Sequence, residues 1–395
     1  TLSLAWLTKA RCLLVDASWQ AGEQYLGYCY TDIYPLWFAE RLDVEAVPYL
    51  DHPVEYPVLT GAWMWAANQA ANVFPEGLQG RAFLQVTMLS GATMLAGTFA
   101  LLHAMAVPSR RLLWFAAAPT LVAYAFVNWD ALPVLLVTAA IWAHRRGRDG
   151  WSGALAGLGA AAKLYPALLV GVVVLARARQ RRWKDATVHV GAAAAAWLAV
   201  NLPVLLAAPQ GWRRFLELSR SRPADHDSLY RLAEVELRNG AQFDVATLNL
   251  VTAGLFAVAV AVVLVVGIRR KPPEALWQLT LPLLIAFLLT SKVYSPQFSL
   301  WLLPLMALAL PRLPPFLLFC AADLAVFLTR FSWLGGRQGF TPAVGFGPFA
   351  AAIAVRAVVL AWVAWVAVRE QPDYLAGAPD EPHTVAEPAT TAPAP

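Results

Sequence analysis

Charge is what this 395-residue chain has least of: Asp, Glu, Lys and Arg make up 14% of it, against 59% hydrophobic residues. An average soluble domain carries roughly 25% charged residues. A soluble fold of this length needs a polar exterior that 55 charged side chains, gathered in clumps, do not supply. The signatures of soluble catalysis are missing too. There is no GxxxxGK[ST], HExxH or CxxC, and the six histidines are scattered, so nucleotide hydrolysis and zinc chemistry have no support. The three cysteines fit no metal pattern. Cys320 lies in an apolar run, while Cys12 and Cys29 share one polar segment and can pair if it faces an oxidising compartment.

What is present is apolar length. Runs such as Phe83–Ala106, Leu248–Ile268 and Phe349–Val368 reach or approach what a hydrocarbon core of about 30 Å requires, which implies an all-α polytopic membrane protein. The stretch from Glu370 to Pro395 holds five acids and no Lys or Arg, so the net charge of +5 divides into −5 there and +10 over the rest of the chain. On a membrane protein that excess belongs to cytoplasmic loops and lipid headgroups, and it gives no case for a nucleic-acid partner.

Spans are expected near residues 83–106, 111–127, 130–143, 151–163, 165–177, 186–207, 246–268, 275–290, 296–310, 315–330 and 346–368. Residues 1–8 read as the end of a truncated first span, giving 11–12 in all. Placing Arg110-Arg111, Arg145-Arg146-Arg148, Arg177 through Lys184 and Arg269-Arg270-Lys271 in the cytoplasm forces residues 152–176 to cross twice. The break falls at Lys163-Leu164-Tyr165-Pro166, because proline disfavours helix in the residue before it. The same rule makes residues 9–81 one extracytoplasmic loop. Within it Val54–Phe74, with Asn68, Gln69 and Asn72, is a juxtamembrane helix. The transmembrane bundle then occupies residues 82–368 with an outer loop at 208–245, and residues 369–395, rich in Pro, Ala and Thr, form a disordered cytoplasmic tail.

On this topology the unusual polar residues collect at the outer ends of spans: Asp32, Glu55, Asp130, Lys163, Lys292 and Gln297. A carboxylate among aromatics can take a proton from an attacking hydroxyl. Lysine and arginine at the membrane surface can hold a lipid phosphate as leaving group and stabilise its growing charge. Each residue also has a plainer use. Asp32 and Asp130 stand where an N-cap would be. Glu55 can pair with Arg41 or face water, Lys163 can reach headgroups, and Arg213, Arg214 and Arg330 can serve as interfacial anchors. The 17 tryptophans are mainly belt residues.

The order of these motifs resembles the membrane-embedded type C glycosyltransferases, and within them glycosyltransferase family 87, the actinobacterial polyprenyl-phosphate-mannose-dependent mannosyltransferases. Asp32-Ile33-Tyr34, Val47-Pro48-Tyr49 and Glu55-Tyr56-Pro57-Val58-Leu59 are similar to the first-loop pattern. Asn128-Trp129-Asp130-Ala131-Leu132 and Gly153–Pro166, with Lys163-Leu164-Tyr165-Pro166, are similar to later segments. Ser291–Gln297 resembles a stretch of the mannosyltransferase that starts the glycosylphosphatidylinositol core. The resemblance spans roughly residues 25–310.

It implies a type C bundle with an inverting reaction on the outer face of the plasma membrane. Asp32 would be the base, and Glu55, Tyr34 and Asp130 would serve the acceptor or act as a second carboxylate. Lys163, Lys292, Tyr165, Gln297 and Arg330 would face the donor phosphate. The expected partners are a polyprenyl-phosphate sugar, an envelope glycolipid or glycan acceptor and membrane lipids, with no cofactor and no metal. Family members commonly carry Tyr-Pro-x-Pro-Pro-Leu where this chain has Val54-Glu55-Tyr56-Pro57-Val58-Leu59, so Glu55 is an additional carboxylate. The competing readings are a lipid or glycolipid transporter or flippase, which would favour internal repeats and midplane charges, and a noncatalytic envelope-assembly protein.

Overall fold

The computed structural model describes residues 1–13 and 23–376, and over these the protein is a bundle of helices. Among the described residues six helices are long and apolar enough to cross a membrane: Glu76–Ala104, Trp183–Ala207, Val245–Arg270, Pro273–Thr290, Leu313–Arg337 and Phe346–Leu375. Shorter apolar helices, Ala131–Arg145 and Pro296–Ala309, pack among them. Asp149–Ala162 and Ala167–Arg179 meet end to end at Lys163–Pro166, where Lys163 has an extended backbone.

Side-chain bonds gather one set of turns at one end of the bundle. Arg145 reaches Met105 O, Arg177 reaches Asp149, Arg179 reaches Ile268 O and Arg111 reaches Leu310 O. The expected break-free span 111–127 is divided into Ser109–Ala116 and Pro119–Tyr124, since Pro119 cannot continue a helix from the preceding turn. The first helix runs Leu2–Leu13 rather than ending near residue 8. Thr8 bonds back to Ala5 O, and the fully buried Lys9 ammonium donates to Tyr30 O and Ala123 O of distant segments, so both polar side chains are satisfied and the helix continues past them. Cys12 and Cys29 are joined by a disulfide, which ties this helix to the segment preceding Asp32.

The start of the expected tail is packed rather than loose. Glu370 takes two bonds from Arg312, Lys271 donates to Glu370 O, and the Tyr374 hydroxyl donates to Leu308 O. The tail beyond residue 376 lies outside the described residues. At the other end, Val58–Ala71 lays Thr60, Met64, Ala67, Asn68 and Ala71 inward. Asn68 is buried with its amide filled, accepting from Trp37 Nε1 and donating to Leu42 O.

Close packing of two helices depends on glycine. Gly153 and Gly157, four apart on Asp149–Ala162, lie directly against the carbonyls of His189 and Ala193 on Trp183–Ala207, where a Cβ would collide with backbone. Gly157→Val should therefore force the helices apart, at about 1–3 kcal/mol. The measurement is the melting temperature of the purified protein in detergent, which should fall by several degrees, whereas Gly171→Ala, at an open position on Ala167–Arg179, should leave it within error.

Candidate active site

At the end opposite the Arg111 and Arg145 turns, the ends of short helices leave a cavity of about 520 Å³. Its wall brings together Asp32, Glu55, Lys163, Tyr165, Lys292, Gln297 and Arg330, drawn from stretches separated by hundreds of residues. That volume is in the range of small-molecule sites, roughly 300–1,000 Å³.

Asp32 occupies the N-cap position of Ile33–Ala39 but makes no capping bond with its side chain. Instead its Oδ1 accepts from the Tyr30 hydroxyl at 2.6 Å, and its Oδ2 accepts from Asn128 Nδ2 at 2.8 Å and Gln297 Nε2 at 3.3 Å. The charge of Asp32, then burial, pushes Tyr30 well above the usual phenol range, so that hydroxyl stays protonated and donates. Asn128 is fully employed: its second N–H goes to the Tyr56 hydroxyl at 2.7 Å and its carbonyl accepts from Trp129 N.

Lys163 projects from the break between its two helices. Its ammonium lies 3.4 Å from Asp130 Oδ1, over the Tyr56 ring at 4.9 Å and the Phe298 ring at 5.6 Å. Asp130 Oδ1 also accepts from Trp301 Nε1 at 2.8 Å. Trp301 is sandwiched in a stack, 4.4 Å from the Tyr165 ring and 4.1 Å from the Phe298 ring, and all three rings line the cavity. Tyr165 thus offers a ring face; no described residue bonds its buried hydroxyl.

Two expected residues do not reach the cavity. Asp130 is 1% exposed and stands behind the wall, where its side chain makes no capping bond to its helix. Tyr34 turns to the other side of Ile33–Ala39, edge-on to Phe38 and beside Gly80, because residues two apart on a helix do not share a face.

Lys292 lines the cavity, yet its ammonium donates to Arg220 O at 3.1 Å and Arg222 O at 2.6 Å. Burial, with Arg222 alongside, pulls it below the usual lysine range. Asp225 N returns a bond to Lys292 O at 2.8 Å, so residues 220–225 are fastened to the 291–295 turn. Arg330 reaches the wall from Leu313–Arg337 and pairs with the buried Asp227. Arg356 stands behind them, bonded to Asp323 and to Asp227 O.

Glu55 faces the cavity, and burial raises its carboxyl against the opposing charge of Arg222. Tyr30, Asn128, Arg222 and Asp225 belong to the site although the motifs pointed past them. Tyr30 and Asn128 flank named carboxylates in sequence, whereas nothing distinguishes Arg222 from the other arginines of 208–245. Among the described residues no group of three His, Cys, Asp or Glu could hold a metal ion.

A helical membrane bundle with a polar, aromatic-lined cavity at one end defines the class. The chain belongs to glycosyltransferase family 87, whose family model matches residues 57–291. It is thus a membrane glycosyltransferase. Among solved structures, ArnT from Cupriavidus metallidurans, in its crystal structure bound to undecaprenyl phosphate, matches at 14% identity. Its TM-score is 0.43, with 85% of this chain and 71% of that one covered. No curated protein matches.

Behind Glu55 lies a titrating neighbour. Glu40 accepts from Glu55 N, sits 3.5 Å from His52, and is pushed by burial up to about 7. The folded protein therefore holds this proton where the unfolded chain has released it, and stability is lost as pH rises from about 4.5 through 7. Glu40→Gln should flatten that decline. Melting temperatures taken from pH 5 to 8 should converge at the acid end and favour the variant at the alkaline end; parallel curves would refute it.

Proposed function

We propose that this glycosyltransferase moves a sugar, mannose by the family's pattern, from a polyprenyl-phosphate donor to a hydroxyl of a cell-envelope glycolipid or glycan on the outer face of the membrane, with inversion. The observation that carries this reading is the Asp32 carboxylate at the cavity wall, fixed by three donors from three separate segments. A carboxylate has about four lone-pair positions, so three bonds leave one for an incoming hydroxyl.

In the reaction the acceptor oxygen gives its proton to Asp32 as it attacks the anomeric carbon. The bond from that carbon to the phosphate oxygen breaks on the opposite face, and polyprenyl phosphate leaves with the electron pair. Lys163 and Arg330 meet the phosphate, where fixed cations stabilise charge that grows in the transition state. The Tyr165, Trp301 and Phe298 stack offers flat apolar surface to a sugar ring or to the first isoprene units. Glu55, on the same wall, is placed to receive hydroxyls of the acceptor.

Asp32→Asn should keep the fold and its three donors' neighbourhood but lower transfer by about 10²–10⁴-fold. The assay follows a radiolabelled polyprenyl-phosphate mannose in a membrane or nanodisc preparation. Lys163→Ala should act chiefly on the KM for that donor. Equal turnover by wild type and Asp32→Asn would remove Asp32 as base.

A further inference from the structure

Each of the two cations assigned to the donor phosphate is backed by a carboxylate that does not reach the cavity. Lys163 is held by Asp130 and Arg330 by Asp227, and both carboxylates are 1% exposed. Neither is a saturated structural pair. Asp130 Oδ2 and Asp227 Oδ2 are buried, and no described residue bonds either oxygen. Arg356 approaches Asp227 at 3.9 Å, but it is itself matched by Asp323, so that second pair adds no net charge. Four formal cations and three carboxylates line the cavity, an excess of one positive charge; the two carboxylates behind the wall turn it into an excess of one negative charge.

That balance bears on a difference between what enters and what leaves. The donor is a phosphodiester with a single negative charge. Its product is a phosphate monoester, which carries roughly −1.5 to −2 near neutral pH. Two unopposed cations would hold the product harder than the donor and stall the enzyme after each turnover. A fixed negative charge behind each cation reduces that preference, because it lowers the positive potential at the phosphate and so costs the doubly charged product about twice what it costs the singly charged donor.

We infer that Asp130 and Asp227 temper the charge of the phosphate site, weakening its hold on the departing lipid phosphate more than on the incoming donor. The inference rests on the phosphate-donor reading given above. It makes the two aspartates positioning residues with an electrostatic duty, and it separates them from residues that merely keep the wall standing.

The test is equilibrium binding to the purified full chain in nanodiscs, using farnesyl phosphate and its methyl diester as probes. The readout is the ratio of their two dissociation constants. In Asp130→Asn and in Asp227→Asn the monoester should tighten relative to the diester by about threefold or more. Asp130→Glu and Asp227→Glu should return the ratio towards wild type. A general loosening of the site weakens both probes alike and leaves the ratio where it was, and that result overturns the inference, as does a ratio moving the other way. A variant that loses both probes also counts against it, since the carboxylate is then needed to hold the wall together. If wild type binds neither probe, the donor reading itself fails and the inference falls with it; if wild type binds both and only the ratio refuses to move, the donor reading stands alone.

Discussion

Taking a cation out of water into an apolar bundle costs several kcal/mol unless an opposite charge and hydrogen bonds travel with it. Lys163 and Arg330 meet that condition from behind, and much of the cavity's geometry follows. Asp130 has to stand at the head of Ala131–Arg145, so the turn at 125–130 must reach the level of the break at Lys163. Asp227 has to reach the flank of Leu313–Arg337, which draws the segment after Pro209–Ser221 across the cavity. Trp301 is fixed by the same Asp130 oxygen that holds Lys163, so the cationic and aromatic walls share one anchor. Shortness of the helices is part of this arrangement. Non-helical backbone is tolerated at depth only where protein or water satisfies it, and here the helix ends meet around a polar space that does so.

The class of fold was legible because the bilayer imposes one length on every crossing, and a 26-residue apolar run such as Val245–Arg270 has few other uses. The break between Asp149–Ala162 and Ala167–Arg179 was legible from Pro166, which disfavours helix in the residue before it. Less of the detail was visible. Lys9 looked like the end of a helix, because polarity in sequence does not reveal that two carbonyls from distant segments wait for an ammonium. Glu370 and Tyr374 sat in a composition typical of disorder, yet their partners Arg312 and Leu308 are near only once the bundle has formed.

Of the candidate residues that reach the cavity, Asp32, Glu55, Lys163, Tyr165, Lys292 and Gln297 have positions set by a break or a turn, and Arg330 alone comes from within a long helix, Leu313–Arg337. Asp130 was misleading for the same physical reason that makes it useful. A carboxylate beside a tryptophan at a helix start is equally suited to capping, to substrate or to a buried lysine, and the choice depends on where Lys163 lands. Arg356 and Asp323 lay within apolar runs and carried no motif at all, because an ion pair inside a bundle has no spacing rule when its partners lie on different helices.

The same ambiguity explains how Asp32 is freed. An aspartate ahead of Ile33-Tyr34-Pro35 is a favoured N-cap, and a carboxylate spent on helix N–H groups has fewer lone pairs left for a substrate. Here the preceding residue takes that duty. Thr31 Oγ accepts from Ile33 N at 3.2 Å and itself donates to Phe126 O and Val127 O, which locks the turn against the segment that carries Asn128. Asp32 N then donates to Val127 O at 2.7 Å, so the two segments are joined through the backbone without the carboxylate. With capping handled by a neutral hydroxyl, the charged group turns outward to Tyr30, Asn128 and Gln297. Thr31, invisible in the motif that drew attention to Asp32, is thus what leaves Asp32 available to the cavity.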